Sequence, residues 1–412
     1  MTNKDEAIKI VERLQHSGFQ ALLAGGCVRD MLLGRRASDY DVATNAQPRD
    51  VMRLFPRTLK VGAKFGVVIV LVKSQQVEVA TFRTESGYAD GRHPATVKFT
   101  TAAEDASRRD FTINGMFYDP ATEKVIDYVG GRADLRQKIV RTIGKPDERF
   151  SEDYLRMLRA VRFSTQLGFA IEPRTWSAIR HYAKNIVKIS GERIAVELEG
   201  ILVDPNRSAG MSMLIESGLA EAIFPEFSGE PAKFAVNIFG RLRKKPACRT
   251  GRVDFALALA GLFAGCTTEF ALQNCRILKL SRNQTKHLKF LLANRGRLLN
   301  DRMSLAELKK ILAEPYFGDL YELQRAIQKA QQASVAALTN LRKRIKALGD
   351  VELKPKPLLD GYDLIRLGAV PGPGLGQLAQ EMYIAQLEGT LQTAEQAHEW
   401  AIKWLQRHKV ND

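Results

Sequence analysis

At 412 residues the chain is longer than one ordinary domain, and a 45% hydrophobic content is enough to bury a sizeable core. Its formal net charge of +16 points to a polyanionic partner, because each Lys or Arg set against a phosphate can release a counterion. Several classes are excluded. No apolar run is long enough to span a membrane, Met1-Thr2-Asn3-Lys4-Asp5 carries no apolar leader core, and Cys27, Cys248, Cys266 and Cys275 make no Cys-x-x-Cys pair. A reducing cytoplasm, with neither structural zinc nor disulfides, is expected.

Residues 3–17 read as a helix that Asn3 can cap, with Ala7, Ile10, Val11 and Leu14 as its apolar stripe and Gly18 as its stop. A short strand, 20–24, then enters the glycine turn Gly25-Gly26-Cys27-Val28-Arg29-Asp30. After Met31 to Ala37 comes Ser38-Asp39-Tyr40-Asp41. On an extended strand residues i and i+2 share a face, so Asp39 and Asp41 would repel each other unless a divalent metal held them. An ordinary solvated turn is the competing reading. The glycine turn exposes N–H groups at a helix start, a ready phosphate site, and metal beside phosphate points to nucleotidyl transfer.

Val67–Val72 and Val77–Phe82 read as a hairpin turned by Ser74-Gln75-Gln76. Within it, Glu78 sits between Val77 and Val79, where a lone carboxylate is costly unless a metal or cation pairs with it; simple alternation would also turn it outward. Glu85 to Pro94 reads as a mobile loop, and Phe117-Tyr118 with Val125-Ile126-Asp127 as another strand pair turned at Asp119-Pro120. From residue 151 the strands stop and the patterns are helical, broken near Asp204-Pro205, Pro225 to Pro231, and Pro246. A helix from Glu152 carries Asp153, Arg156, Arg159 and Arg162 at every third position beside an apolar stripe of Leu155, Leu158 and Val161. Arginines so crowded, with few acids on their stripe, want an anion. Arg241 to Lys245 and Pro355 to Leu359 read as linkers, and Asp360 to Ile365 and Pro371 to Gly376 as turns capping helices, whose free N–H groups could hold an RNA phosphate. The histidines are scattered without metal-ligand spacing.

The order of the glycine turn, Asp39-Tyr40-Asp41, Arg108-Arg109-Asp110-Phe111-Thr112-Ile113-Asn114-Gly115-Met116, Glu152-Asp153-Tyr154-Leu155-Arg156 and Arg159-Ala160-Val161-Arg162-Phe163 resembles the nucleotidyltransferase superfamily. Within it the match is to the bacterial-type (class II) tRNA nucleotidyltransferases and bacterial poly(A) polymerases. The resemblance is good to about residue 230 and thins beyond 235. It implies an α+β fold: a catalytic head with a small, mostly antiparallel sheet (1–143), then an all-helical neck with a nucleotide-selecting helix (144–235), a body (236–354) and a tRNA-binding tail (355–412).

The resemblance also implies roles. Asp39 and Asp41 would hold two Mg²⁺ ions with Glu78 in support, and Gly26 and Arg29 would meet the triphosphate. Arg109, Asp110 and Asn114 would contact sugar and phosphates, Asp110 by accepting a ribose hydroxyl. Cytosine and adenine each present an amino donor beside a ring-nitrogen acceptor, which a carboxylate (Asp153) beside a guanidinium (Arg156) complements; the oxygens of guanine and uracil mismatch it. Arg159 and Arg162 would reach phosphates. The basic run Arg83 to Arg92, absent from CC-adding members, implies that terminal A addition is available. ATP and CTP are then substrates, the tRNA 3′ end the partner, and no membrane is involved. CCA addition is preferred. An A-adding specialist and a poly(A) polymerase share the same site, and a dead, RNA-binding head is disfavoured by the intact Asp39 and Asp41.

Overall fold

The computed structural model describes residues 2–60, 65–72, 75–88, 94–243 and 252–408, with only the backbone of 85–88 and 94–96. The chain forms two compact units: 1–240 with 244–255 and 265–281, and 241–243 with 256–264 and 282–412.

The first unit opens with helix α1 (Asn3–His16), whose stripe Ala7, Ile10, Val11 and Leu14 is buried as expected. Its cap is Thr2 rather than Asn3: the Thr2 hydroxyl accepts the Asp5 N–H while Asp5 reaches back to the Thr2 N–H, a reciprocal box that Asn3 cannot make. Nine strands follow: β1 (Ala21–Ala24), β2 (Asp41–Thr44), β3 (Thr58–Leu59), β4 (Val67–Val72), β5 (Gln75–Thr81), β6 (Arg83–Tyr88), β7 (Pro94–Phe99), β8 (Met116–Asp119) and β9 (Lys124–Asp127). Seven form one sheet in the order β3-β4-β5-β2-β1-β8-β9, antiparallel except for the β2–β5 pair. The strand β1 is wholly buried, whereas β5 alternates, with Val77, Val79 and Thr81 inward and Gln76 and Glu78 outward.

Where it is described, the stretch expected to be a loop is sheet. Strands β6 and β7 pair antiparallel from Arg83↔Phe99 to Tyr88↔Pro94 as a separate two-stranded sheet, and 89–93 lie outside the described residues. The polar strand sequences hid this, because a hairpin outside the main sheet is paired strand to strand and needs no apolar alternation.

The helices of this unit then run α2 (Gly26–Leu32), α3 (Pro48–Leu54), α4 (Ala102–Ser107), α5 (Gly131–Gln137), α6 (Pro146–Glu152), α7 (Leu155–Leu167), α8 (Pro173–Tyr182) and α9 (Gly191–Leu202), of which α2, α4, α6, α7 and α9 hold or brace site residues. On α7 the apolar stripe Leu155, Leu158 and Val161 is buried, each side chain contributing about 2 kcal/mol. Close packing by α9 depends on Gly200, where a Cβ would stand 2.4 Å from the Arg162 Cδ. Strands do not stop altogether at 151: Ala170–Ile171 pairs in parallel with Ile139–Val140. The Asp204-Pro205 break falls between α9 and the helix Arg207–Glu216, while Pro231 lies inside the first turn of Gly229–Phe239, where a missing N–H costs nothing. Pro246, and Lys244 and Lys245 of the basic linker, lie outside the described residues.

The second unit is helical. A reciprocal Ser304–Glu307 box starts Leu305–Leu312, and an Asp360–Asp363 box starts Gly361–Arg366. The long helix Pro373–Glu388 is tied to the first of these, its Glu388 accepting the Ala306 N–H at 2.8 Å and its Leu387 carbonyl accepting from the Lys309 ammonium at 2.8 Å. Leu364, Leu378, Met382, Ala397 and Ala401 form the core beneath Ala394–His408.

Candidate functional site

The residues singled out from the sequence converge. Gly26, Arg29, Asp39, Asp41, Glu78, Arg109, Asp110, Asn114, Asp153, Arg156, Arg159 and Arg162 all line one cavity of about 680 Å³ in the first unit.

The acidic floor comes from sheet register. Asp41 opens β2 opposite Ala24, and the next residue, Val42, pairs with Val79, so Asp41 and Glu78 lie side by side on neighbouring parallel strands. Asp39 is not on a strand; it sits in the irregular segment between the Ser38 bend and β2, so strand alternation does not place it. Its Oδ2 accepts the Ser38 hydroxyl at 2.9 Å. Asp41 keeps contact with solvent, yet the protein packed about its carboxyl, followed by the charge of Glu78, pushes its pKa up to about 6, against the pull of Arg109. The donor set is hard oxygen throughout, since the neighbouring Cys27 thiol is buried, pushed up to about 11 and donates to the Ala24 carbonyl. Such a set suits Mg²⁺ and not a thiophilic metal.

Beside this floor lies a cradle of fixed guanidiniums. Gly25 turns the chain at φ +76°, and a Cβ there would meet the Arg109 Nη1 at 3.0 Å, so glycine lets Arg109 lie against the backbone of the turn. Arg29 donates to Asp30 at 2.9 Å and to the Asn114 Oδ1 at 2.8 Å. Asn114 donates to the Asp110 Oδ1 at 3.3 Å, and Arg159 to the Asp110 Oδ2 at 2.8 Å, which completes a chain of bonds from α2 to α7. The oxygens expected to meet a ribose hydroxyl are therefore already engaged, Oδ1 also accepting the Phe111 N–H at 2.8 Å. Burial opposes the charge of Asp110, but Arg159 outweighs it and holds the carboxyl below its ordinary range. The short turn Thr112–Asn114 that follows has Phe111 as its N-cap.

The third wall is the α6–α7 junction. The expected single helix from Glu152 is broken: α6 ends at Glu152, Asp153 is extended, and α7 begins at Leu155. The break suits an aspartate, whose Oδ1 accepts the Leu155 N–H at 3.0 Å. Its Oδ2 accepts from Arg193 of α9 at 2.6 Å. Arg156 is held by Glu152 at 2.5 Å and by the Arg149 carbonyl at 3.0 Å, all through Nη1, which leaves its Nε and Nη2 edge for the cavity. Asp153 and Arg156 thus line the same cavity but are anchored to different partners.

The arginines of α7 are not short of acids, as their own stripe suggested. Glu197 of α9 accepts from Arg162 at 2.5 Å and stands 3.7 Å from Arg159. The Phe163 ring lies under Arg29, Arg159 and Arg162, the last at 4.2 Å from its centroid. Asp105, buried on α4, binds Arg108 at 2.7 Å and Arg109 at 3.0 Å, and those charges outweigh burial and hold it below its ordinary range. Arg193, Glu197 and Asp105 were missed in the sequence. Asp105 had a signal, since Arg108 and Arg109 follow it at i+3 and i+4; Arg193 and Glu197 had none.

The family model described as "Poly A polymerase head domain" matches residues 21–141, and that described as "Probable RNA and SrmB- binding site of polymerase A" matches 168–230. The CCA-adding enzyme of Geobacillus sp. (strain WCH70) is 34% identical over 408 residues, 96% of each chain. That of Geobacillus stearothermophilus is 44% identical over 226 residues, a match spanning 55% of that enzyme. Among solved structures, the crystal structure of the Bacillus stearothermophilus CCA-adding enzyme in complex with CTP superposes with a TM-score of 0.82 at 28% identity over the whole of both chains.

Proposed function

We propose, from the premise that this chain belongs to the family of CCA-adding enzymes, that it builds the C-C-A end of tRNA by template-independent nucleotidyl transfer in the cytoplasm. The observation that carries this reading is the single cavity uniting an acidic floor, a guanidinium cradle and a carboxylate–guanidinium pair of base-pairing character.

Arg29, Arg109 and the Gly25–Gly26 backbone receive the triphosphate of CTP or ATP, and their internal partners hold them in place before it arrives, so little ordering entropy is lost on binding. Asp153 accepts the exocyclic amine and the free edge of Arg156 donates to the adjacent ring nitrogen. Arg159 and Arg162, stacked about Phe163, steady the nucleotide from the side of α7. The RNA 3′ oxygen then bonds to the α-phosphorus as the bond to the β-phosphate breaks and pyrophosphate leaves. Asp39 and Asp41, supported by Glu78, would hold two Mg²⁺ ions, which when bound neutralise the triphosphate and acidify the 3′ hydroxyl.

The test is an extension assay: purified protein, Mg²⁺, and labelled tRNA ending before C, after C or after CC, with each NTP singly and together. All three substrates should be completed to CCA and then stop. Extension of the CC-ended tRNA alone would mean an A-adding specialist, long A tracts on unrelated RNA a poly(A) polymerase, and no product an RNA-binding relative.

A further inference from the structure

Next to the transfer cavity lies a second concavity of about 760 Å³, lined by Arg35, Arg36, Ser38, Gln166, Asp204 and Arg252. The two adjoin at one peptide, since Ser38 lines this one and Asp39 the other. They also share a hydrogen bond, from the Arg162 guanidinium to the Gln166 Oε1 at 3.2 Å.

Their electrostatics differ. In the transfer cavity Arg29, Arg109, Arg156, Arg159 and Arg162 are each locked to a carboxylate. In the neighbour, Arg35, Arg36 and Arg252 are all exposed, and none makes a direct ion pair among the described residues. The hydrogen bond of the Arg35 side chain is to the Gln166 carbonyl, at 3.4 Å. Asp204 is the one acid lining the concavity; it is buried, and its Oδ1 accepts the Asn206 N–H at 2.8 Å. Three guanidiniums therefore face one carboxylate already committed to a turn. Guanidiniums around a hollow match phosphate oxygens in geometry and charge, and here only the charge of Asp204, felt through space by Arg35 and Arg252 without a direct ion pair, competes within the lining. A strand whose 3′ end reaches Asp39 carries its last phosphates over the rim of the cavity, and Ser38 is part of that rim.

We propose that this concavity seats a phosphodiester of the RNA acceptor strand, close behind the reacting 3′ hydroxyl, through Arg35, Arg36 and Arg252. The proposal rests on the reading of the chain as a tRNA 3′-end transferase.

The test uses the full chain carrying Arg36→Ala with Arg252→Ala, and a charge-keeping companion, Arg36→Lys with Arg252→Lys, each checked for an unchanged thermal melt. Both positions are exposed, so neither pair disturbs the core. For the alanine pair, tRNA affinity measured without NTP should fall about tenfold, and the log–log salt slope should flatten by about 0.7, the value for one single-strand phosphate no longer neutralised. The KM for CTP and kcat at saturating tRNA should stay within about twofold of the parent, because no nucleotide-binding group is touched, and the lysine pair should bind near the parental level. A neutral methylphosphonate placed in turn at each of the last three primer linkages should weaken parental binding at one position and add nothing to the alanine pair there. Unchanged tRNA affinity, or fully additive losses, overturns the proposal. Weaker inhibition by pyrophosphate with unchanged tRNA affinity also overturns it, and assigns the hollow to the released anion instead. A parent that binds tRNA but never extends it would refute the transferase reading, while the affinity and methylphosphonate measurements still decide the concavity.

Discussion

Asp41 carries a cost to the fold that its proposed place in the metal chemistry would explain. Its carboxyl titrates at about 6 because burial and then Glu78 disfavour its charge. An acid with a raised native pKa destabilises the fold in its ionised form; that cost is full above about pH 6 and is gone below its unfolded value near 4. In EDTA, metal-free protein should therefore gain stability from this group as pH falls from 6 towards 4. Asp41→Asn should raise Tm at pH 7.5 while abolishing incorporation in Mg²⁺, through loss of several kcal/mol of barrier stabilisation. A melt that falls, or turnover that survives, contradicts the assignment. Base choice is a second matter of single residues. Asp153→Ala or Arg156→Ala should erode the preference for CTP and ATP over GTP and UTP by about 1–3 kcal/mol. Arg193→Met should act in the same direction although its partner is a protein carboxylate, since it releases Asp153 from its 2.6 Å anchor. Competition between the four NTPs reads all three variants, and an equal fall for every NTP would mean that the junction is merely structural.

At the scale of elements, α7 works as a rail whose apolar edge is sunk in the core and whose arginines are clamped by α9. The clamp requires Gly200. Gly200→Ala would thrust a methyl group into the Arg162 stem at 2.4 Å, and overpacking of this kind costs about 1–3 kcal/mol. A lower Tm together with a reduced kcat is expected, and an unchanged melt would show that α9 can yield. The hairpin of β6 and β7 is the second test at this scale. Thr84 and Lys98 face each other across its root, so joining them excises Glu85 to Val97 without opening the main sheet. Excision should spare C addition and stop terminal A addition, because the pocket must rearrange for the larger base and this two-stranded sheet is the element beside it free of the main sheet. Completion of CCA at the normal rate by the excised protein rules that role out.

These elements also mark how far the sequence could be read. The motif residues were legible because each is tied to a local pattern: a glycine turn, paired aspartates, an i,i+3 arginine series. Their partners were not, because Arg193 and Glu197 arrive from α9, at 40 and 35 residues' separation from Asp153 and Arg162, and no local period records a tertiary ion pair. The break at Asp153 was misread since an arginine-rich helical period ran straight through it, although an aspartate ahead of an apolar run is also a helix-start signal.

For the whole molecule, the charge balance implies phosphate-dominated attraction to RNA. At +16, tRNA affinity should fall steeply from low to moderate salt, with a log–log slope of about −0.9 for each duplex phosphate contacted. A flat dependence would exclude binding along the backbone. Inside the transfer cavity the balance differs, since its arginines are largely matched by acids on its floor and behind its walls. Among the described residues the excess positive charge thus lies outside this cavity, and the pocket proposed to choose a base is close to electrically neutral. Capture of RNA and choice of letter are consequently separable. Dissolved salt should set how often the enzyme begins a 3′ end, yet leave the ratio of correct to incorrect nucleotides on each finished end the same, so that a cell whose ionic strength drifts would make fewer tails but no more misspelt ones.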